Sequence, residues 1–346
     1  MKETRYSDAG VDISAADEAK NRIKSAVKST HGTSVLTNIG GFGGLFSTVG
    51  FPPDPVLVSS VDGVGTKLKI AFLLDRHETV GGDLVNHCVN DILVQGARPL
   101  FFMDYLAAGR LKPGIVEKVV DGIAMACRSN GCALLGGETA EMPGFYAEGE
   151  YDLAGTIVGV VTRKHLLTGQ SVAEGDTILA LASSGLHTNG YSLARKVLLE
   201  MAGLPLDAPH PELGRSIGEE LLSQHRSYGP SLLPLLQAFP FHGLVHITGG
   251  GFGGNIPRVV PEQMKAVIFK KSWKVPPIFP LIARLGNVPE DEMFATFNMG
   301  LGMIVIVPKG EAGNIAAALS EAGEKVFEVG QVESRKPGDP PVFLTD

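Results

Sequence analysis

Forty-four of the 346 residues are glycine, and they gather in short clusters at the ends of apolar runs instead of recurring at a fixed period. Average usage is about 7%. Clustered this way, glycines mark tight turns and close backbone approach, and they exclude a collagen-like or linker-like chain. The surrounding composition, 44% hydrophobic and 19% charged, is that of a globular protein. A chain of 346 residues exceeds one ordinary core, so two domains of similar size are expected.

The apolar runs alternate in type. Val56-Leu57-Val58-Ser59-Ser60-Val61 reads as a strand that enters Asp62-Gly63-Val64-Gly65-Thr66-Lys67 directly. Residues 82–95 read as a helix with Leu84, Val85, Cys88, Val89, Ile92 and Leu93 on one face and Asp83, Asn86, His87, Asn90 and Asp91 on the other. A strand over 100–106, a helix over 113–129, a short strand over 133–135 and a strand over 153–161 complete the first half. The second half opens with a strand over 177–182 and a helix from Tyr191 to about Met201. A helix over about 218–237, broken near Gly229-Pro230, precedes a strand over 244–248. The tail alternates strand and helix, with 301–307 its most apolar strand. Turn chemistry at 165–176 divides the chain into 1–168 and 169–346. Both halves mix sheet and helix, which predicts an α+β fold of undetermined strand order.

Charge and cysteine usage narrow the function. The net charge is −7 and no basic run tracks a nucleic-acid backbone, so no nucleic-acid partner is expected. Three cysteines without a C-x-x-C pair argue against a disulfide framework or a thiolate zinc site. The first residues lack a signal-peptide core and no uncharged apolar run approaches about 18 residues, so a cytoplasmic protein with no membrane partner is expected.

Asp62-Gly63-Val64-Gly65-Thr66-Lys67 suits a Mg²⁺–phosphate site: Asp62 for the ion, with Lys67 and the backbone amides at Gly63, Gly65 and Thr66 for phosphate oxygens. On its own the hexapeptide fits a glycine turn with an Asx cap slightly better. No Gly-Lys pair occurs anywhere, so it is not a Walker loop. Asp83, His87 and Asp91 recur at four-residue steps along one side of their helix. A loop over 136–144 adds Glu138 and Glu141. Asp62, Asp91 and Glu138 are the expected metal ligands.

Two further loops carry polar groups. Residues 249–254 satisfy G-x-G-x-x-G, but the acidic residue expected about 20 positions on is replaced by Lys270-Lys271-Ser272-Trp273-Lys274. An anion-binding loop for a substrate phosphate is the better reading, with a dinucleotide site a distant second. Residues 183–190 set hydroxyls, His187 and Asn189 between glycines, which suits a ribose phosphate or a substrate carbonyl. A lone loop histidine is more often structural.

Together these segments resemble the aminoimidazole ribonucleotide synthetase (phosphoribosylformylglycinamidine cyclo-ligase) family. The likeness begins at Tyr6-Ser7-Asp8-Ala9-Gly10-Val11-Asp12-Ile13 and continues through Gly40-Gly41-Phe42-Gly43-Gly44, 62–67, Cys88-Val89-Asn90-Asp91, 95–102 and 136–144. It resumes at 184–195, 248–258 and Thr296-Phe297-Asn298-Met299-Gly300-Leu301-Gly302-Met303. Thr188 stands where the family often has serine, and residues 203–213 match no pattern. The resemblance implies a homodimer whose amino-terminal domains pair their sheets into a barrel, with a carboxy-terminal α/β sandwich-like domain for substrate. It implies ATP and Mg²⁺ as cofactors and formylglycinamidine ribonucleotide as substrate. It carries nucleotide binding to Lys24, Gly40, Gly41, Gly43, Gly44 and the Asp62-to-Lys67 turn, and metal binding to Asp62 and Asp91. Substrate binding falls to His187, Thr188, Asn189, Gly249, Gly250, Gly251 and Asn255, with His187 and Lys67 the expected catalytic groups. Rival expectations are another ATP-using member of the same superfamily, of the kinase or selenophosphate synthetase type, and a non-catalytic nucleotide-binding subunit.

Overall fold

The fold is taken from a computed structural model that describes residues 9–346, so Tyr6, Ser7 and Asp8 of the first matched segment lie outside the described residues. The chain forms two compact units. One comprises Met1–Ile92 with Pro99–Val160, and the other Leu93–Arg98 with Val161–Asp346.

In the first unit, β1 (Pro55–Gly63), β2 (Arg98–Ala108), β3 (Ala133–Glu141) and β4 (Tyr151–Thr162) form a sheet in the order β1-β4-β2-β3. Four helices belong with it: α1 (Ile13–Lys28), α2 (Leu68–Leu74), α3 (Val80–Leu93) and α4 (Pro113–Ser129). Strand side chains alternate between faces. Val58, Phe102, Leu106, Leu153 and Ile157 are buried on one face, whereas Leu57, Val61, Met103 and Tyr105 are exposed on the other. Helix α3 covers the buried face closely: a Cβ on Gly155 would stand 2.1 Å from the Phe102 ring and 3.0 Å from Leu84. Helices α3 and α4 meet backbone to backbone, since a Cβ on Gly81 would lie 2.1 Å from the Val119 carbonyl oxygen and one on Gly122 2.6 Å from that of Glu78. Only glycine permits that approach.

Strand β3 corrects the sequence reading. It does not stop at Leu135 but runs through Glu141, so Glu138 lies on a strand and not in a loop. The pairing explains the extension: β3 runs parallel to β2 from Phe101–Ala133 to Ala108–Glu141, with a one-residue register shift between Phe102 and Met103, and the ladder supplies hydrogen bonds that local propensity for Gly136-Gly137 would not.

In the second unit, β5 (Thr177–Ala182), β8 (Gly243–His246), β9 (Met264–Phe269), β10 (Leu301–Val307), β11 (Val326–Ser334) and β12 (Val342–Thr345) form a sheet ordered β12-β9-β11-β5-β10-β8, while β6 (Pro209–His210) and β7 (Arg215–Ser216) pair as a short ribbon. Every residue of β10 is buried. Its Met303, Val305 and Val307 pack with Leu179, Leu181, Leu232, Leu244, Ile315 and Leu319. Each such fully buried aliphatic side chain contributes roughly 1.5–3 kcal/mol. Seven helices surround this sheet: α5 (Tyr191–Arg195), α6 (Ile217–Leu221), α7 (Gly229–Leu235), α8 (Gly251–Asn255), α9 (Ile278–Gly286), α10 (Glu290–Thr296) and α11 (Ala312–Glu321). The long helix expected over 218–237 is two short ones, α6 and α7. Pro230 in the first turn of α7 has no N–H to give an upstream carbonyl, so the chain between them is irregular.

Strand β10 is antiparallel to both β5 and β8. Strands β5 and β8 therefore run the same way, and the loops leaving their carboxyl ends, 183–190 and 247–251, emerge from the same end of the sheet. The segment 298–300 that enters β10 emerges there too.

Candidate functional sites

In the first unit the polar face of α3 is buried, not solvated, and each of several side chains has a specific partner. Asp83 binds Lys67, with Nζ and Oδ2 2.8 Å apart and both side chains fully buried. Asn86 Oδ1 accepts from Asn130 Nδ2 at 3.0 Å. His87 Nε2 lies 2.8 Å from Asp62 Oδ2 and 3.8 Å from Asp91 Oδ2. Ser60 Oγ donates to Asp91 Oδ2 at 2.9 Å, and the Gly63 amide donates to Asp62 Oδ1 at 2.6 Å. The four-residue spacing of Asp83, His87 and Asp91 puts all three on the side of α3 that faces the end of β1.

The electrostatics follow from that packing. Burial pushes the Asp62 carboxyl up, but the His87 hydrogen bond and charge, with the Gly63 amide, outweigh it and leave Asp62 below the usual carboxylate range. Burial likewise opposes a charge on His87, yet Asp62 and Asp91 hold its imidazole above the ordinary value. Asp62 and Asp91 thus flank one imidazole, with side chains 41% and 26% exposed.

Two expected residues take other settings. Lys67 was expected to meet phosphate oxygens, but its ammonium is buried against Asp83; desolvation lowers its pKa and Asp83 only partly restores it. Glu138 does not join Asp62 and Asp91. It pairs with Tyr105 and so shares the open face of the sheet, whereas Asp62, four positions on from the buried Val58, lies on the opposite face. Strands β4 and β2 stand between β1 and β3, a separation of about 14 Å at ordinary strand spacing. Among the described residues, no converging group of metal-ligating atoms includes Glu138. The neighbouring Glu141 is structural: its carboxylate accepts from the Asp12 and Leu111 amides at 2.5 and 2.8 Å.

Gly40, Gly41, Gly43 and Gly44 lie in a hairpin-like loop closed by a Val35–Phe46 bridge and a 2.9 Å bond from the Leu36 amide to the Leu45 carbonyl, with Phe42 fully exposed at its tip. Gly63 ends β1, Gly65 adopts φ +68°, and Gly65 and Thr66 begin the turn into α2. Lys24 is exposed on α1 and donates to Asn21 Oδ1 at 2.8 Å.

In the second unit, Asn298 ties the loop after β5 to the entry of β10. Its Nδ2 donates to the Gly185 carbonyl at 3.0 Å, and its Oδ1 accepts from the Gly300 amide at 2.8 Å and from Ser183 Oγ at 3.1 Å. His187 has φ +61°, an uncommon conformation for a side-chain-bearing residue. Its Nε2 accepts from the Ser184 amide at 3.2 Å, and its ring stacks on His225 with centroids 3.9 Å apart. Gly302 makes room for this: a Cβ there would stand 2.5 Å from His187 Cε1 and 2.1 Å from Tyr228 Oη. Thr188 Oγ1 lies 3.3 Å from His225 Nδ1.

The loop after β8 comes alongside. A Cβ on Gly249 would be 3.2 Å from Asn189 Oδ1, so the two loops touch where both expected substrate segments lie. Gly250 and Gly251 adopt φ +91° and +57°. Asn255 is buried, its Nδ2 donating to the carbonyls of Thr248, Gly249 and Gly251 at 3.2, 3.3 and 2.8 Å, so it fixes the loop from within. The dinucleotide reading fails on topology. Strand β8 has a single neighbour, antiparallel β10, and the following helix has five residues, so no βαβ unit exists there.

With this geometry in view, comparison with known proteins places the chain. The profile of the AIR synthase related protein N-terminal domain matches residues 46–161, and that of the C-terminal domain matches 173–340. The chain belongs to the AIR synthase related family. Relatives named phosphoribosylformylglycinamidine cyclo-ligase extend over nearly the whole length: that of Syntrophotalea carbinolica is 53% identical and covers 99% of each chain, and that of Citrifermentans bemidjiense is 55% identical over 96% of each. Among solved structures, thiamine-monophosphate kinase from Stenotrophomonas maltophilia has a TM-score of 0.68 at 18% identity, covering 94% of this chain and 95% of that one. Hydrogenase maturation protein HypE in complex with ATP has a TM-score of 0.67 at 20% identity, covering 94% and 90%. At such identities the structural likeness shows the shared two-domain α+β fold. No helix among the described residues is long and apolar enough to cross a membrane.

Proposed function

We propose that this chain is an ATP-dependent cyclo-ligase that converts formylglycinamidine ribonucleotide to 5-aminoimidazole ribonucleotide, releasing ADP and phosphate, as a cytoplasmic enzyme of purine biosynthesis. The observation that carries this reading is the 53% identity, over 99% of both chains, to a relative named for that reaction. The kinase likeness is one of fold only, at 18% identity.

Asp62 and Asp91 fit a Mg²⁺–nucleotide site, because they are hard oxygen donors, part-exposed, and held by Ser60, Gly63 and His87. Mg²⁺ takes few protein carboxylates when phosphate and water complete its shell, and when bound it neutralises charge on the phosphoryl group being transferred. His87 acts as a positioning residue that keeps Asp62 ionised and holds it beside Asp91. Lys67 acts through Asp83, anchoring the turn that carries Gly63, Gly65 and Thr66. Lys24 and the loop of Gly40, Gly41, Gly43 and Gly44 complete the nucleotide side.

On the substrate side, Asn189, Gly249, Gly250 and the open Gly253-Gly254 backbone offer polar groups to the ribose phosphate. His187 and Thr188 face the reacting amide. An amide oxygen leaves poorly, so its phosphorylation precedes intramolecular attack by the amidine nitrogen. Holding both ends of one molecule together replaces a bimolecular encounter.

The exposed apolar face that carries Leu57, Val61, Met103 and Tyr105 supports a homodimer built sheet against sheet into a barrel. Glu138, on that same face, would then lie at the subunit interface. Purified protein incubated with ATP and Mg²⁺ tests the reading. ADP release that requires formylglycinamidine ribonucleotide, with aminoimidazole ribonucleotide formed in equal amount, is expected. ATP binding without such turnover would leave a nucleotide-binding subunit.

A further inference from the structure

We propose that Asn298 is a positioning residue for the cyclisation: by donating its side-chain N–H to the Gly185 carbonyl, it sets the turn that aims His187 at the substrate. This role rests on the cyclo-ligase reading and deepens it, because the segment that enters β10 then governs the loop that follows β5.

The Asn298 amide is engaged at both ends. Nδ2 donates to the Gly185 carbonyl at 3.0 Å, and Oδ1 accepts from the Gly300 amide at 2.8 Å. Exchanging the two atoms would set oxygen against a carbonyl and nitrogen against an N–H, so the partners dictate the orientation of the side chain. Two backbone bonds flank it: the Ser183 amide donates to the Gly300 carbonyl, and the Leu301 amide to the Asn298 carbonyl, both at 2.9 Å. Asn298 is only 3% exposed, so water does not replace a bond that is lost there.

The turn needs such a tether. Gly185 has φ +144° and His187, two residues on, has φ +61°. Backbones of this kind are costly and persist only where their surroundings over-determine them. The Ser184 amide, donating to His187 Nε2 at 3.2 Å, closes the turn from within. Asn298 fastens it from outside, and its own segment is firmly held. The Met299 carbonyl accepts from Trp273 Nε1 at 2.9 Å, and a Cβ on Gly300 would stand 2.3 Å from Pro276 Cδ. A stiff anchor is thereby carried across to His187. Cyclisation is an attack within one molecule, and a misplacement of about 1 Å in a group that aligns it can cost about a hundredfold in rate.

Two variants test this role. Asn298→Asp keeps the shape and the acceptor but turns an oxygen toward the Gly185 carbonyl, whereas Asn298→Ala removes donor and acceptor together. ADP release dependent on formylglycinamidine ribonucleotide is measured first in the parent, then in each variant with Mg²⁺ present. Circular dichroism checks folding, and calorimetry measures binding of a non-hydrolysable ATP analogue. In both variants kcat should fall at least about tenfold, with Asp no better than Ala and analogue affinity unchanged. A side chain that merely fills space would rank Asp, the isostere, above Ala. That ranking overturns the proposal, as does parental kcat in either folded variant or a loss of analogue affinity that matches the loss of kcat. In each of those cases the parent's own turnover leaves the cyclo-ligase reading standing. A parent that releases no ADP with this substrate sinks that reading, and the proposal with it. If one variant fails to fold, the kcat of the other decides; if neither folds, Asn298 is a folding residue and the proposal falls.

Discussion

Lys67 Nζ lies 2.8 Å from Asp83 Oδ2, and neither side chain has any solvent exposure. The pair joins the glycine turn after β1 to the first turn of α3, the helix that also carries His87 and Asp91. Removing one partner leaves an uncompensated charge in the interior. Lys67→Met and Asp83→Leu, made singly, are each expected to destabilise by about 3–5 kcal/mol, and the double variant by less than either. Urea unfolding of the three proteins measures this. A double variant that loses the sum of both single effects would show that the two side chains act independently.

The Asp62–His87 contact gives stability a pH window. His87 is held above its ordinary pKa, so its contribution is complete below about 6.5 and fades as pH rises through the raised folded value. Asp62 is held below its ordinary value, so its contribution is present above about 3.9 and is lost as pH falls through the lowered one. Melting temperature in the presence of a chelator should therefore reach a plateau between these limits. His87→Gln should lower that plateau and remove the alkaline fall that His87 causes.

Asp104 has the opposite sign. It sits on β2 beside Gly137, where a Cβ would stand 2.3 Å from its Oδ1, and burial pushes its carboxyl up to about 7. The folded chain then holds a proton that the unfolded chain gives up near pH 4, so Asp104 weakens the fold progressively as pH rises from about 4 to 7. Asp104→Asn should match the parent near pH 4 and exceed it by one to a few kcal/mol, as an order of magnitude, at pH 8. Thermal unfolding at both pH values checks the widening gap.

Gly302 controls the position of His187. In Gly302→Ala the new methyl would have to displace both the His187 ring and the Tyr228 hydroxyl. A loss of roughly 1–3 kcal/mol in stability is expected from overpacking. Turnover should fall further than stability explains, with kcat reduced more than KM is raised. Unchanged kcat in the folded variant would separate His187 from the chemistry.

Much of this arrangement was legible in residue order. Strands β5 and β10 follow from unbroken apolar runs, and α4 from its period and Pro113. Asp62 and Asp91 stood out by their motifs. The polar side of α3 was visible as a stripe, but sequence spacing says nothing about whether a stripe meets water, so the burial of Asp83 and His87 was not. Glu138 was misplaced because its glycine neighbours resemble a loop, and pairing with β2 overrode that local signal. Asn298 lay within a matched segment without any cue to its role. His225 and His246 come together only through tertiary folding, and no local pattern marks either. A buried loop clamp such as Asn255 and an exposed donor look alike in one dimension.

Helix α3 packs through its apolar face and pairs through its polar one, with glycines where α4 crosses. It consequently has no spare surface on which substitutions can accumulate without effect. Whatever the rest of this chain tolerates over time, residues 80–91 should drift slowly, because folding claims one half of them and the acid site the other.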